Sequence, residues 1–165
     1  MELYLIRHGI AALRDNYAHD EERPLTDKGR EKTAKVAKQL YNRGLHFDLI
    51  LTSPLVRARE TATILQDAGL ASQVEELAAL APGGDIHVWI GWLEQRRQKD
   101  ATDKFLALVG HQPDLGNWTE TLVWGDAKEK LVLKKAGVIG INILDTQSPI
   151  GQSELFLLSS PKWFL

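Results

Sequence analysis

The sequence predicts an α/β protein: a three-layer α/β/α sandwich around a mostly parallel central sheet. Two observations carry that expectation. Short apolar runs ending in Gly or Pro alternate with longer segments of helical periodicity, the pattern of strands joined by crossover helices. The chain also has 165 residues, 44% of them hydrophobic and 25% charged. That suffices for one core and suits a single domain spanning residues 1–165.

Each element follows in order. Residues 1–6 are an apolar run that stops on Arg7, His8 and Gly9, a buried-strand pattern. Residues 10–25 are mostly polar and read as a long loop, a type that often carries function. The stretch LTDKGREKTAKVAKQLYNRGL reads as a helix. Thr26 is its N-cap, Asp27 complements its positive N-terminal end, and Gly44 stops it. Its inward face is expected to hold Ala34, Ala37, Leu40 and Tyr41. Residues 47–51 are a short strand. Pro54 opens a second helix that runs to about residue 68 and stops at Gly69. Residues 73–77 are a weak strand and APGGD is a turn. Residues 86–98 are a third helix, with Val88, Trp89, Trp92 and Leu93 inward. Residues 104–109 are an apolar strand ended by Gly110, and residues 113–124 are a fourth helix. Residues 136–144 and 153–158 are strands joined by the turn TQSPIGQ, an antiparallel hairpin at the C-terminal end.

Composition removes several function classes. The formal net charge is -2, whereas a nucleic-acid binder usually carries a basic surplus. There are no cysteines, so disulfides and thiolate chemistry are excluded, in accord with a cytoplasmic location. No apolar run reaches the ~18–20 residues of a membrane helix. The first apolar run has no basic lead and reads as a strand rather than a signal peptide.

Three apolar strands end alike. The first ends in Arg7-His8-Gly9. The second ends in Thr52-Ser53-Pro54, with Arg57 and Arg59 in the helix behind it. The fourth ends in Gly110-His111-Gln112-Pro113. In a parallel sheet these ends meet at one edge, where ligands bind. The crevice then holds two imidazoles and at least two guanidiniums, flanked by helix N-termini. Guanidinium forks match tetrahedral oxyanions and stay charged at any relevant pH, so a phosphoryl group is the expected ligand. Each feature alone has a plainer explanation: Arg57 as a partner of Glu60, Gly9 and Gly110 as turns. Their recurrence at equivalent strand ends favours a site. His19, His46 and His87 are expected on the surface or in loops, and the tryptophans of the third and fourth helices in the core. The histidines show no metal-ligand spacing, so no metal is expected.

These motifs resemble a known family. LIRHGIA is similar to the R-H-G signature of the histidine phosphatase superfamily, the phosphoglycerate-mutase-like enzymes. DLILTSPLVRARETATIL resembles its S-P-x-x-R-A-x-x-T-A element, LVGHQPDLG its G-H-x-P element, and RPLTDKGREKTAKVAKQL its P-L-T-x-x-G helix start. The motifs stand in family order from Leu5 to Gly116. The short chain resembles the compact SixA-type branch, the phosphohistidine phosphatases. The resemblance implies a phosphoglycerate-mutase-like fold. It makes His8 the nucleophile that forms a phosphohistidine enzyme intermediate. Arg7, Arg57 and His111 become the fixed donors to the phosphoryl oxygens, with His111 acting as imidazolium. Gly9, Ser53 and Arg23 are further candidates at the phosphate: Gly9 for close packing and a hydrogen bond to the ring, Ser53 for a hydroxyl. Arg23 is as readily a loop salt bridge with a nearby Glu. No metal or other cofactor is implied. The implied partner is a histidine-phosphorylated phosphocarrier or phosphotransfer domain, with neither nucleic acid nor membrane involved.

One departure is informative. Phosphomonoesterases of the superfamily commonly use as general acid a Glu after the third strand, or an Asp directly after the second His. Here that His is followed by Gln112. Glu75 and Glu76 come early, and Asp20, Glu21, Glu22 and Asp85 are the other candidates. The departure argues against efficient phosphomonoester hydrolysis. A small-molecule phosphatase for sugar phosphates or nucleotides, and a noncatalytic phospho-ligand module, remain as alternatives.

Overall fold

The computed structural model describes all residues other than 100–102 and 146. Its strands are β1 (Glu2–Arg7), β2 (Leu49–Thr52), β3 (Val74–Glu76), β4 (Phe105–Gly110), β5 (Val138–Asn142) and β6 (Glu154–Ser159). Its helices are α1 (Asp27–Asn42), α2 (Val56–Asp67), α3 (Ile86–Gln98) and α4 (Asp114–Trp124). They build one sheet in the order β3-β2-β4-β1-β5-β6. The first four strands run parallel, while β5 is antiparallel to β1 and β6 to β5. The expected α/β sandwich with a mostly parallel sheet is therefore found, C-terminal hairpin included. Thr146, in the turn of that hairpin, lies outside the described residues.

The three layers follow from strand alternation. Leu3, Leu5, Leu106 and Leu108 face one side, where they pack with Trp89 and Leu93 of α3 and Trp118 and Leu122 of α4. Tyr4, Ile6, Ala107 and Val109 face the other, against Val36 and Leu40 of α1 and Ala58 and Leu65 of α2. Most of these side chains are almost fully buried. Burying one such apolar side chain contributes about 1.5–3 kcal/mol, so the two faces together hold the sheet rigid under the site.

Local signals read as expected at the helix ends. Thr26 caps α1 by accepting from the Gly29 amide at 2.9 Å, and Gly44 follows at φ +79°. The inward faces needed correction. On α1 the buried face carries Thr33, Val36, Ala37 and Leu40, while Ala34 and Tyr41 are exposed. Those buried positions follow the i, i+3, i+4, i+7 rule, from which Ala34 and Tyr41 are displaced. On α3, Val88 faces solvent and Trp89 and Leu93 are buried. Among the described residues, no helix is long and apolar enough to cross a membrane.

The long loop is ordered by two short 3₁₀ turns, Arg14–Asn16 and Asp20–Glu22, and by a bridge between Ala11 and Leu25. This folds residues 10–25 back across the C-terminal edge of the sheet.

Candidate active site

Three strand ends meet because their hydrogen-bond ladders continue past the strands. The His8 amide donates to Gly110 O at 3.0 Å, and the Ser53 amide donates to Val109 O at 2.9 Å. β4 thus forms the middle of the site, with β1 on one side and β2 on the other. His8, Arg57 and His111 come together here, buried to 6%, 4% and 3% exposure. The His8 and His111 rings are 5.1 Å apart. Arg7 is half-buried at the end of β1, and its Nη1 donates to Leu133 O at 2.8 Å.

The hydrogen bonds define both imidazoles. His8 Nδ1 lies 2.7 Å from Gly9 O. A carbonyl only accepts, so Nδ1 carries the proton and Nε2 keeps its lone pair. Arg57 Nε donates to that Nε2 at 3.3 Å. Burial, followed by the charges of His111, Arg57 and Arg7, lowers the His8 pKa to about 3 against the favourable Gly9 bond. His8 is a neutral imidazole at pH 7, and its nucleophilic lone pair on Nε2 is held only by the long hydrogen bond from Arg57.

His111 is the converse case. Its Nε2 pairs with Ser53 Oγ at 2.8 Å. That hydroxyl also accepts from the Leu55 amide at 3.3 Å; among the described residues its own proton has no acceptor but His111 Nε2, and donating there leaves the ring proton on Nδ1. His111 Nδ1 and Arg7 Nε are both buried without a hydrogen-bond partner among the described residues. Burial and the Arg57 charge, opposed by Asp20, lower the His111 pKa to about 4. Low-dielectric surroundings and the neighbouring guanidiniums thus disfavour the expected imidazolium, and a phosphoryl anion between the rings would oppose that shift.

Three other candidates stand one step behind. Ser53 is fully buried with its hydroxyl committed to His111, so it orients that ring rather than facing a ligand. Gly9 uses its carbonyl on His8 and its amide on Thr61 Oγ1 at 3.1 Å. A Cβ at Gly9 would stand 2.4 Å from Thr33 Oγ1. Its role is close packing beside His8. Arg23 is taken up by the loop: Nη2 reaches Asp20 Oδ1 at 2.8 Å and Nη1 donates to Ala12 O at 2.9 Å. The partner is Asp20 rather than a Glu. Arg57 likewise pairs with Asp20, and Glu60 instead binds Arg30. Arg59 is half exposed and reaches toward Glu76, away from the imidazoles. Among the described residues, no group of His, Asp or Glu side chains is arranged to hold a metal ion.

The comparisons with known proteins agree with this geometry. The sequence pattern of the histidine phosphatase superfamily (branch 1) matches residues 3–112, the span that holds all four side chains. The chain belongs to the histidine phosphatase superfamily. It is 51% identical, over 100% of its length and 99% of the other, to an uncharacterized protein of Picosynechococcus sp.. It is 29% identical to the phosphohistidine phosphatase SixA of Escherichia coli K12, covering 76% of each chain. Its fold superposes on that of the protein histidine phosphatase SixA complexed with tungstate, with a TM-score of 0.85, 24% identity and all of both chains covered.

The superfamily's usual acid positions look different in this member. The Gln112 side chain is engaged by the loop after α4: its amide donates to Leu131 O at 2.9 Å and accepts from the Leu133 amide at 3.3 Å. It ties down the loop whose Leu133 carbonyl holds Arg7. Glu75 and Glu76 are exposed on edge strand β3, Glu21 and Glu22 are exposed, and Asp85 caps α3. Asp20 is the one acid candidate brought to the site. Its carboxylate accepts from Arg57 Nη2 at 2.9 Å, and its backbone carbonyl from Arg57 Nη1 at 2.8 Å. Desolvation pushes its pKa up, but Arg57 and Arg23 outweigh that and hold it below the usual carboxylate range. Asp20 is ionised at neutral pH and carries no proton to give.

Glu120 was missed by the reading of the sequence. It is 1% exposed, yet its carboxylate accepts from the backbone amides of Lys128, Lys130 and Leu131. It caps the loop that Gln112 and Arg7 also use. A single carboxylate within the apolar helix GNWTETLVW was the available signal.

Proposed function

We propose that this member of a phosphatase superfamily is a phosphohistidine phosphatase acting on histidine-phosphorylated protein domains. His8 Nε2 attacks phosphorus, and the P–N bond to the substrate imidazole breaks. The substrate ring, protonated on its other nitrogen, leaves as neutral imidazole. Phosphorylated His8 keeps its Nδ1 proton on Gly9 O. Water then attacks phosphorus, the electron pair of the second P–N bond returns to Nε2, and the product leaves as hydrogenphosphate with one proton of water, the other passing to solvent. Splitting one displacement into two is the usual gain of a covalent nucleophile. Arg7, Arg57 and the Nδ1–H of His111 stabilise the equatorial oxygens.

The observation that carries the reading is the state of Asp20. Among the described residues it is the carboxylate hydrogen-bonded to this cluster, and it is held ionised. An alkoxide leaving group needs a proton in the transition state, help typically worth about 10²–10⁴-fold. An imidazole leaving group brings its own. A site with a neutral nucleophile, cationic donors and no protonated acid favours P–N over P–O cleavage. The resemblance to SixA, named a phosphohistidine phosphatase, supports the same substrate class.

The test is a hydrolysis panel. A histidine-phosphorylated phosphotransfer domain, free phosphohistidine, serine phosphate and a sugar phosphate are compared by kcat/KM. The P–N substrates are expected to lead by two or more powers of ten. A sugar phosphate that proves the better substrate replaces this reading with a small-molecule phosphomonoesterase. Binding without turnover of any substrate replaces it with a phospho-ligand module.

A further inference from the structure

A trough of about 660 Å³ has Arg7, the residue before His8, in its wall. Its walls include Ile10 of the loop after β1, Lys32 of α1, Lys134 and Lys135 of the turn before β5, and Lys162 near the C-terminal end. No acidic side chain lines it. None of the four lysines forms a salt bridge among the described residues. Four such unneutralised ammonium groups in one concavity stand out in a chain of net charge -2.

The lysine lip is built, not floppy. The Ala136 amide donates to Arg7 O at 3.0 Å and to His8 O at 3.2 Å, and the Arg7 amide donates to Gly137 O at 3.2 Å. Ala136 sits at φ 58°, a left-handed conformation costly for a residue with a Cβ and upheld by those bonds. The turn that presents Lys134 and Lys135 is therefore pinned to the two residues that begin the site. Lys135 shares the trough wall with Arg7; burial, and then the charges of Arg7, Arg23 and Arg57, lower the pKa of its amine.

Resting on the function proposed above, we infer that this trough is the docking surface for an acidic protein surface flanking the substrate's phosphohistidine. The charge is complementary and adjoins the site without a break, so a partner seated here delivers its phosphoryl group to Arg7 and His8. A long polyanion fits less well: the chain's overall negative charge of -2 opposes it, and beyond Lys32 the adjoining surface carries Glu31, which pairs with Lys35. Steering of this kind acts on association and weakens with salt.

The test uses phosphohistidine peptides of equal length with acidic or neutral flanks, and free phosphohistidine. The intact wild-type chain is compared with the triple variant Lys32→Glu/Lys134→Glu/Lys162→Glu. Wild type is expected to prefer acidic flanks by about tenfold or more in kcat/KM, through KM, with the preference fading at high salt. The variant should lose or reverse that preference while hydrolysing free phosphohistidine within about twofold of wild type, which also reports that it folds. A preference that survives in the variant overturns the docking proposal, as does an equal loss on free phosphohistidine. Wild-type turnover of all three substrates with no flank preference overturns docking alone. No P–N turnover by wild type overturns the proposed function and docking with it. Tight binding of an RNA oligonucleotide that the substitutions abolish, with no flank preference, assigns the trough to nucleic acid and overturns the proposal.

Discussion

Asp20 grips Arg57 at two points, its carbonyl at Nη1 and its carboxylate at Nη2. The long loop thereby aims the guanidinium whose third donor, Nε, touches the nucleophilic nitrogen of His8. Asp20 is a positioning residue and a counter-charge. Asp20→Asn keeps an acceptor for Nη2 and should change kcat on phosphohistidine by less than about tenfold, below the share of an essential acid. The decisive readout is leaving-group dependence. If Asp20 were a general acid, the variant would lose rate on alkyl phosphates and keep it on nitrophenyl phosphate; the expected result is the same modest change on both.

The two imidazoles set a pH signature. Their pKa values in the fold are about 3 and about 4, below the ordinary 6.5. The unfolded chain therefore binds more protons than the native one in that interval, so native stability falls as the solution is acidified. The contribution is complete above about 6.5 and is lost as pH falls from there through the folded values. Tm should decline between pH 6.5 and 4.5, and His111→Asn should flatten that decline. Nitrogen NMR should show His8 as the Nδ1–H tautomer, untitrated from pH 8 to 5. A protonated His8 at pH 6 would contradict the geometry.

The fold was legible because its signals are local. Glycines end β1 and β4, Thr26 caps α1, and apolar alternation marks the strands. His8, Arg57 and His111 were legible for the same reason, since a parallel sheet brings its strand ends to one edge. What was not legible depends on pairs far apart in sequence. Asp20 stands among Asp15, Glu21 and Glu22, and nothing in their spacing shows which one reaches Arg57, 37 residues on. The donor hydroxyl of Ser53 and the anchoring of Arg7 by Leu133 also need the tertiary fold. The lowered pKa of His111 was not legible either, because burial cannot be read from a strand end.

Gly9 should tolerate no side chain. A Cβ there meets Thr33 Oγ1 at 2.4 Å and Gly29 O at 3.3 Å. Gly9→Ala should cost about 1–3 kcal/mol in urea unfolding, the range for overpacking, and should lower kcat by shifting the carbonyl that holds His8. Adding Thr33→Ala removes the closer contact and should restore much of both. A double variant no better than Gly9→Ala would show that the Gly29 backbone, not Thr33, is the obstacle.

Gln112 should act through Arg7. Its two hydrogen bonds to Leu131 and Leu133 fix the loop whose carbonyl Arg7 uses. Gln112→Met removes both, each worth about 0.5–1.5 kcal/mol net. Vanadate inhibition should weaken by about tenfold, equivalent to ~1.4 kcal/mol, with the pH profile unchanged. A profile that loses one limb would instead give Gln112 a part in proton transfer.

The central claim is that His8 takes the phosphoryl group on Nε2. Rapid quench during turnover of a histidine-phosphorylated domain, followed by alkaline digestion and mass spectrometry, tests it directly. Because Nδ1 is held by Gly9 O at 2.7 Å, the phosphate should sit on Nε2 of His8, form as fast as turnover, and be absent in His8→Ala, which should lose activity by several powers of ten. Phosphate on Nδ1 or on another residue, or substantial turnover by His8→Ala, would contradict the account.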